Sequence, residues 1–179
     1  HFFLQCTGDD KRLMPGGTIH ESAKKQGRKV LLINMKCGKW SELAAGAGKT
    51  KLDEQIRDKV GLLTKLEVPV LLVFHHEPEN DSCGSNGYFG TPLEYRQAYR
   101  QFVKTARDEQ IKLEVNRISF GLVLMGYTYE RNGQESFVNC DGVVTNSDVL
   151  RNPENWYPGD DVVDWLMADP YDHNSKRSF

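Results

Sequence analysis

Four continuous apolar runs constrain the fold of this 179-residue chain more than any other feature of its sequence. They occupy residues 29–34, 68–74, 118–125 and 162–168, and residues 2–5 are a candidate fifth run. Each run is unbroken instead of alternating between apolar and polar residues, which is typical of strands in a parallel sheet covered on both faces. The sequence therefore predicts an α/β fold with a buried parallel sheet.

Helical patterns lie between these runs. Apolar residues recur at steps of four and three along 52–66, which predicts an amphipathic helix. Thr91, Pro92 and Glu94 have the spacing of an N-cap, a first helical residue and the acidic member of a capping box. A shorter helix is expected over 19–26. The alternation of strands and helices is the signature of repeated βαβ units.

Long loops are expected after two of the strands, at residues 78–90 and 130–155. Long loops at the carboxyl ends of parallel strands form the functional side of a (β/α)8 barrel. A complete barrel takes about 250 residues, and this chain supplies four or five strands. Two interpretations stay open, part of a barrel or a smaller open sheet.

Composition excludes some classes of partner. The formal net charge is −2, which gives no electrostatic basis for binding nucleic acid or an anionic membrane. No apolar stretch approaches the roughly 20 residues that cross a bilayer. The four cysteines contain no CxxC pair, so a zinc finger is not indicated, and both disulfides and free thiols remain open; they are Cys6, Cys37, Cys83 and Cys140. The chain starts without Met, and we expect it to be a piece of a longer protein.

The run at 68–74 leads directly into a group of ionisable side chains. His75, His76, Glu77 and Glu79 follow it, at the strand end where α/β folds place catalytic groups. Partial shielding of Glu77 by Phe74 would raise its pKa towards neutrality, as a general acid requires. His76 would contact substrate or orient that carboxyl. The alternative is a polar cluster that satisfies its own hydrogen bonds and caps the sheet.

A metal site is a competing interpretation of the same residues. Because neighbouring strand residues point to opposite faces, His75 and Glu77 could share an ion whereas His75 and His76 could not. The other interior imidazoles, His20 and His173, have no ligand-like spacing. We expect no metal cofactor, and a metal-dependent hydrolase using His75 and Glu77 remains a rival hypothesis.

A second group of candidate residues lies near the end of the chain. Trp156 begins an aromatic turn, and Asp169 and Tyr171 lie at the tip of the following strand. Aromatic rings beside carboxylates suit sugars, since rings stack on C–H faces and acids bind hydroxyls. Trp40 is expected to line the same opening. Burial of the aromatic rings as packing residues is the alternative for Trp156 and Trp40.

Two motifs in this order resemble those of glycoside hydrolase family 26, the β-mannanase-like enzymes. The first is FHHEPEND at 74–81, and the second is WYPGDDVVDW at 156–165 followed by Asp-Pro-Tyr at 169–171. The resemblance spans residues 28–172 and extends to Trp40 with the Ala-Ala-Gly sequence at 44–46. It implies a (β/α)8 TIM-barrel type of fold, with about strands two to six present in one partial domain, residues 1–179.

The resemblance also implies an activity. Family 26 enzymes are retaining β-glycosidases, so the chain would belong to an endo-β-glycosidase acting on a mannan-like or cell-surface glycan. Glu77 would be the general acid/base, and His76, Trp40, Asp169 and Tyr171 would contact the sugar. The nucleophilic glutamate of the family lies on the seventh strand, beyond the end of this chain at Phe179. No cofactor is implied.

The same motifs are similar to family-26-like domains in minor tail proteins of actinobacteriophages. That likeness implies an alternative, a non-catalytic glycan-binding or virion tail domain on the same scaffold. In either case a polysaccharide is the expected partner, in a virion or multidomain context. The expected location is extracellular or on the virion surface.

Overall fold

The computed structural model describes residues 1–25, 30–46, 49–81, 89–129, 137–138, 144–145 and 152–169. The strands are β1 (Phe2–Gln5), β2 (Leu31–Lys36), β3 (Val70–Phe74), β4 (Ile118–Met125), β5 (Phe137–Val138), β6 (Val144–Thr145) and β7 (Trp165–Asp169). The helices are α1 (Thr18–Lys24), α2 (Trp40–Ala45), α3 (Lys51–Thr64), α4 (Pro78–Asp81), α5 (Pro92–Lys112) and α6 (Pro153–Trp156). Short 3-10 helices cover Lys11–Leu13 and Gly126–Tyr129.

Five parallel strands form the main sheet, in the order β1-β2-β3-β4-β7. Each strand of this sheet therefore lies beside the preceding strand of the same sheet, without the reversal of order that marks a doubly wound sheet. Parallel neighbours need crossover connections, and α1, α3 and α5 lie in the first three of them. The predicted α/β class and the candidate fifth strand are both confirmed.

Local sequence signals account for the two long helices. Thr91 and Glu94 form the predicted capping box at the start of α5, and Thr50 and Asp53 form another at the start of α3. Each pair satisfies backbone N–H groups that the first helical turn leaves unbonded. Within the described ranges, no helix combines the length and the apolarity needed to span a bilayer.

The last strand starts later than the apolar run predicts. Val162 and Val163 lie in a turn, where their N–H groups both donate to the carbonyl of Gly159. Asp164 then accepts from the N–H of Phe120 through its carboxylate and donates its own N–H to the carbonyl of the same residue. The backbone N–H groups of residues 162–164 are therefore bonded within the turn or to Phe120, although periodicity alone assigns these three residues to the strand.

The helices pack on one face of the sheet. Alternate strand residues such as Ile33, Leu72 and Phe120 join a single core with helical residues such as Ile56 and Phe102. Both faces were expected to be covered, and within the described residues the cover on the second face comes from strand side chains. The opposite face of the sheet, termed the inner face, bears Leu71, Val73, Gly121, Val123 and Met167.

Strand side chains cover one another on the inner face. A Cβ added to Gly121 would lie 2.6 Å from Met167 Cε, 3.3 Å from Leu71 Cδ1 and 3.3 Å from Val73 Cγ2. These side chains come from β3 and β7, the two strands that flank β4, so they cover Gly121 from both sides. Val73 and Val123 are buried on this face, outside the core cluster that the helical residues join, which explains the unbroken apolar runs.

A disulfide joins the ends of β1 and β2. Cys6 and Cys37 lie just after these strands, with Cα atoms 4.8 Å apart and a separation of 31 positions in sequence. Both side chains are buried. The sequence left this pairing open, and Cys83 and Cys140 lie outside the described residues.

We expect loss of this disulfide to lower the free energy of unfolding by about 3–4 kcal/mol, from the chain entropy of a loop of this length. Urea unfolding of the wild type with and without reductant measures the effect. The Cys6→Ala/Cys37→Ala variant should match the reduced wild type and should not respond to reductant. Detection of Cys6 and Cys37 as free thiols in the unreduced, denatured wild type would contradict the assignment.

Candidate functional site

The turn after β3 has an unusual backbone. His75 and Glu77 both have left-handed φ angles, 46° and 57°, each costing a non-glycine residue roughly 1–3 kcal/mol unless its surroundings compensate. The N–H of His76 donates to Asn34 Oδ1 (3.0 Å) from β2, and the N–H of Glu77 donates to the carbonyl of Val123 (3.0 Å) from β4. The turn is thus attached to both neighbouring strands.

Glu77 occupies a shielded position in this turn. Its side chain is 15% exposed, Oε2 accepts from Asn80 Nδ2 at 3.2 Å, and Oε1 is buried without a hydrogen bond from the described residues. Burial is the main reason that its pKa rises to about 7, with a further contribution from the charge of Asp169. The carboxyl is therefore close to half protonated at neutral pH, as a residue that donates and accepts protons in turn should be.

His76 lies between two carboxylates. Its Nε2 is 3.0 Å from Asp169 Oδ2, and its Nδ1 is 3.8 Å from Glu77 Oε2. Burial lowers the pKa of His76 despite the opposing effect of Asp169, so the neutral ring donates its Nε2 proton to Asp169. The Nδ1 lone pair then faces Glu77, and this favours the protonated form of Glu77.

The structure thus brings together three of the residues predicted from sequence, His76, Glu77 and Asp169. One ligand atom from each lies within 4.8 Å of the others, so the group has the composition and spacing to hold a metal ion. Two features oppose that use. His76 Nε2 already bonds Asp169, and a proton competes for Glu77 near neutral pH.

The expected position of Trp40 at the site opening is wrong. Its side chain is fully buried, and its ring lies edge-on to those of His75, Tyr95 and Trp156, with centroids 5.5, 5.0 and 6.1 Å away. A ring with no exposed surface offers no face to a sugar, and Trp40 instead anchors α2 in the core. Trp156 is likewise buried, as its packing alternative predicted. Tyr171 lies outside the described residues.

His75 does not face the same side as Glu77, so the predicted metal pair is also wrong. The expectation rested on strand alternation, which ends where the left-handed φ angles begin. The His75 side chain is fully buried, its Nδ1 lies 3.1 Å from Asp81 Oδ2, and its Nε2 lies 3.0 Å from the backbone nitrogen of Cys37. Both ring nitrogens are engaged within the protein.

Two further residues support the turn: Asn34, which the sequence reasoning missed, and Glu79, which it placed in the ionisable group. Asn34 binds the backbone of His76, and a single amide within an apolar run was the available signal for it. Glu79 accepts hydrogen bonds from the N–H of Met125 and the hydroxyl of Thr128, both at 2.6 Å. These bonds attach the turn to the end of β4, and burial raises the pKa of Glu79 to about 7.

The raised pKa of Glu79 makes stability depend on pH. Between the ordinary pKa of 4.5 and about 7 the unfolded state ionises while the folded state keeps its proton, so this residue's contribution to stability is lost as pH rises. We expect Glu79→Gln to gain stability relative to wild type between about pH 5 and about pH 8, by about 1–3 kcal/mol. Urea unfolding at both pH values measures it. The exposed Glu114→Gln is the control, and an equal gain in both variants would contradict the prediction.

Comparison with known proteins adds a likeness of fold. No protein-family profile matches the chain, and no curated protein matches it. The solved structure of GH26C from a Muricauda species has 16% identity and a TM-score of 0.52, covering 95% of this chain and 50% of that one. The GH26 domain of an endo-β-mannanase/endo-β-glucanase from Prevotella bryantii has 14% identity and a TM-score of 0.47, covering 85% and 50%.

The chain spans about half the length of these solved structures. At this level of identity the likeness concerns the fold alone, an α/β arrangement with a parallel five-stranded sheet similar to that of a GH26 protein.

Proposed function

We propose that the protein is a retaining endo-β-glycosidase that acts on a β-linked polysaccharide outside the cell, with Glu77 as its general acid/base. The observation that carries the proposal is the state of Glu77. It is a shielded carboxyl with a pKa of about 7, beside His76 and Asp169 at the carboxyl end of a parallel strand. The fold similarity to a GH26 structure is consistent with a glycan as the substrate.

The geometry suits two successive proton transfers. In the first, protonated Glu77 donates to the glycosidic oxygen as the bond to the anomeric carbon breaks. In the second, the Glu77 carboxylate removes a proton from the water that attacks the glycosyl-enzyme intermediate. A pKa of about 7 permits both roles near neutral pH. Neutral His76, fixed by Asp169, lies beside the carboxyl with its Nδ1 3.8 Å from Oε2.

We further propose that the five strands are part of a (β/α)8 barrel. The strands of the main sheet follow one another in sequence order, the helices pack on one face, and apolar side chains of neighbouring strands cover one another on the inner face. Large apolar side chains remain open to solvent on both edge strands, with Phe3 53% and Trp165 59% exposed. Further strands from the rest of the protein would cover them and complete the barrel.

A retaining mechanism also needs a nucleophilic carboxylate about 5–5.5 Å from the acid/base. Among the residues that the structure describes, Asp169 is the carboxylate beside Glu77 on this face, and it is bonded to His76. We therefore assign the nucleophile to a residue outside the described part of the protein. Asp169 acts on the acid/base through His76.

One observation favours a second candidate, a non-catalytic glycan-binding domain of the kind suggested for virion tails. No nucleophile is seen among the described residues, and binding alone would not need one. This candidate predicts association with a glycan at the same face without turnover, and it predicts that Glu77→Gln leaves binding unchanged.

The test is hydrolysis of a panel of β-mannans, β-glucans and cell-surface glycans by the full-length protein. New reducing ends, unaffected by EDTA, are the expected result. Loss of turnover with EDTA and its recovery with Zn²⁺ would support a metal-dependent hydrolase instead. Glycan binding measured by calorimetry without new reducing ends on any substrate would favour the non-catalytic candidate.

A further inference from the structure

A fully buried polar pair closes the turn that presents Glu77. His75 and Asp81 lie at the two ends of this turn, and His75 Nδ1 is 3.1 Å from Asp81 Oδ2. Both side chains are buried, His75 completely and Asp81 with 2% exposed. Neither residue belongs to the group of His76, Glu77 and Asp169, so the mechanism above does not use them.

The pair is also attached to the end of β2. Lys36 Nζ donates to Asp81 Oδ1 at 2.7 Å, and the backbone N–H of Cys37 lies 3.0 Å from His75 Nε2. These contacts supply partners for both ring nitrogens of His75 and for both carboxylate oxygens of Asp81. Rings of Trp40, Phe74 and Phe89 surround the imidazole, which leaves it little room to move.

The protonation states of the pair follow from this arrangement. Burial would raise the pKa of Asp81, but the hydrogen bonds from His75 and Lys36 outweigh it and hold that pKa below its ordinary value. Burial lowers the pKa of His75. The pair is therefore an imidazole with a lowered pKa beside an ionised carboxylate. Its Nε2 lies 3.0 Å from the backbone nitrogen and 2.8 Å from the carbonyl oxygen of Cys37.

The backbone between the two residues needs such a restraint. His75 and Glu77 have left-handed φ angles, which non-glycine residues keep only where the surroundings determine the conformation. The His75–Asp81 bond joins residues six positions apart and encloses His76 and Glu77 between them. If the bond is lost, the turn can relax towards ordinary φ values, and the carboxyl of Glu77 then moves away from His76 and Asp169.

We propose that His75 and Asp81 are positioning residues for the acid/base Glu77, acting through the backbone of the turn. The inference rests on the proposed function for its effect on catalysis. Its effect on the surroundings of Glu77 does not depend on turnover. A residue that only stabilises the fold would change neither the titration of Glu77 nor the balance between kcat and KM in the folded protein.

The variant that tests this role is His75→Phe in the full-length protein. It removes the hydrogen bonds of the ring and keeps the charged and titratable side chains that act on Glu77, which are His76, Asp169, Glu79 and Lys36. Asp81 loses its bond from His75 and keeps its bond from Lys36. His75→Asn keeps a donor near the Nδ1 position and tolerates a left-handed backbone, so it is the conservative variant. Val60→Ala removes buried volume in α3 as a control for lost stability.

The first readout is the pKa of the Glu77 carboxyl, measured by ¹³C NMR at a temperature where every variant is folded by circular dichroism. In the wild type we expect the raised value of about 7. In His75→Phe we expect it to fall by about one unit or more, as the carboxyl gains solvent. In His75→Asn the pKa of Glu77 should stay close to the raised wild-type value, and Val60→Ala should leave that pKa unchanged.

The second readout is turnover of the substrate found in the glycan panel. His75→Phe should lower kcat about ten-fold or more, the scale expected when an acid/base is misplaced by a fraction of an ångström. KM should change less than kcat. An unchanged pKa and an unchanged kcat in folded His75→Phe would overturn the proposal while leaving the proposed function intact. A shifted pKa in a protein without any turnover would support the positioning role and reject the glycosidase.

Discussion

Glu77→Gln is expected to lower kcat by about 10²–10⁴-fold, the usual contribution of a general acid/base. The amide keeps the size and the hydrogen-bonding oxygen of the side chain but carries no transferable proton. Both glycosylation and deglycosylation should slow, and substrates with good leaving groups should suffer least in the first step, because they need no protonation. Steady-state and burst kinetics on an aryl β-glycoside and on the natural glycan measure the difference.

One residue of the chain, Glu114, provides a matched control for this experiment. Glu114 is an exposed glutamate with a φ angle of 56°, almost that of Glu77, so Glu114→Gln tests the same substitution on the same backbone conformation away from the site. We expect it to keep wild-type turnover. Full activity in Glu77→Gln, with the fold intact, would remove this residue from the mechanism.

Trp40→Ala is expected to destabilise the protein by about 3–5 kcal/mol, as other large aromatic side chains do when they are cut back in a core. Trp40 is fully buried between α2 and the rings that surround it. Its removal leaves a cavity beside His75, so the free energy of unfolding should fall well before any effect on sugar contacts appears. Denaturant unfolding of the full-length protein measures this loss.

Leu93→Ala is the matched control, since this side chain is 55% exposed on α5 and should change stability by only a few tenths of a kcal/mol. The two roles considered for Trp40 make opposite predictions. Wild-type stability together with weakened glycan affinity in Trp40→Ala would return the residue to the sugar site and contradict its place in the core.

The fold could be predicted largely from periodicity. The strand at 118–125 and the capping box at Thr91 agree with the structure residue by residue. The strand predicted over 162–168 begins too early. Apolar periodicity does not reveal the turn in which the N–H groups of Val162 and Val163 both donate to the carbonyl of Gly159. Continuous apolar runs indicated a sheet covered on both faces, and on the inner face side chains such as Val73 are buried among those of neighbouring strands.

The candidate site was predictable in part, for a physical reason. Carboxyl ends of parallel strands lie at the same edge of a sheet, and this placed His76 and Glu77, just after β3, near Asp169 at the end of β7, with β4 between the two strands. Side-chain directions beyond the strand were not predictable, because they depend on the left-handed backbone at His75 and Glu77. For that reason His75 turns into the core, where strand alternation would have paired it with Glu77.

The most direct test of the central claim is the anomeric configuration of the first product, followed by ¹H NMR as the full-length protein hydrolyses its best β-glycan. A retaining glycosidase with Glu77 as acid/base releases the β-anomer first, and the α-anomer appears later by mutarotation. Glu77→Gln should release neither on the same timescale. Initial release of the α-anomer, or binding of the glycan without release of any product, would contradict the account.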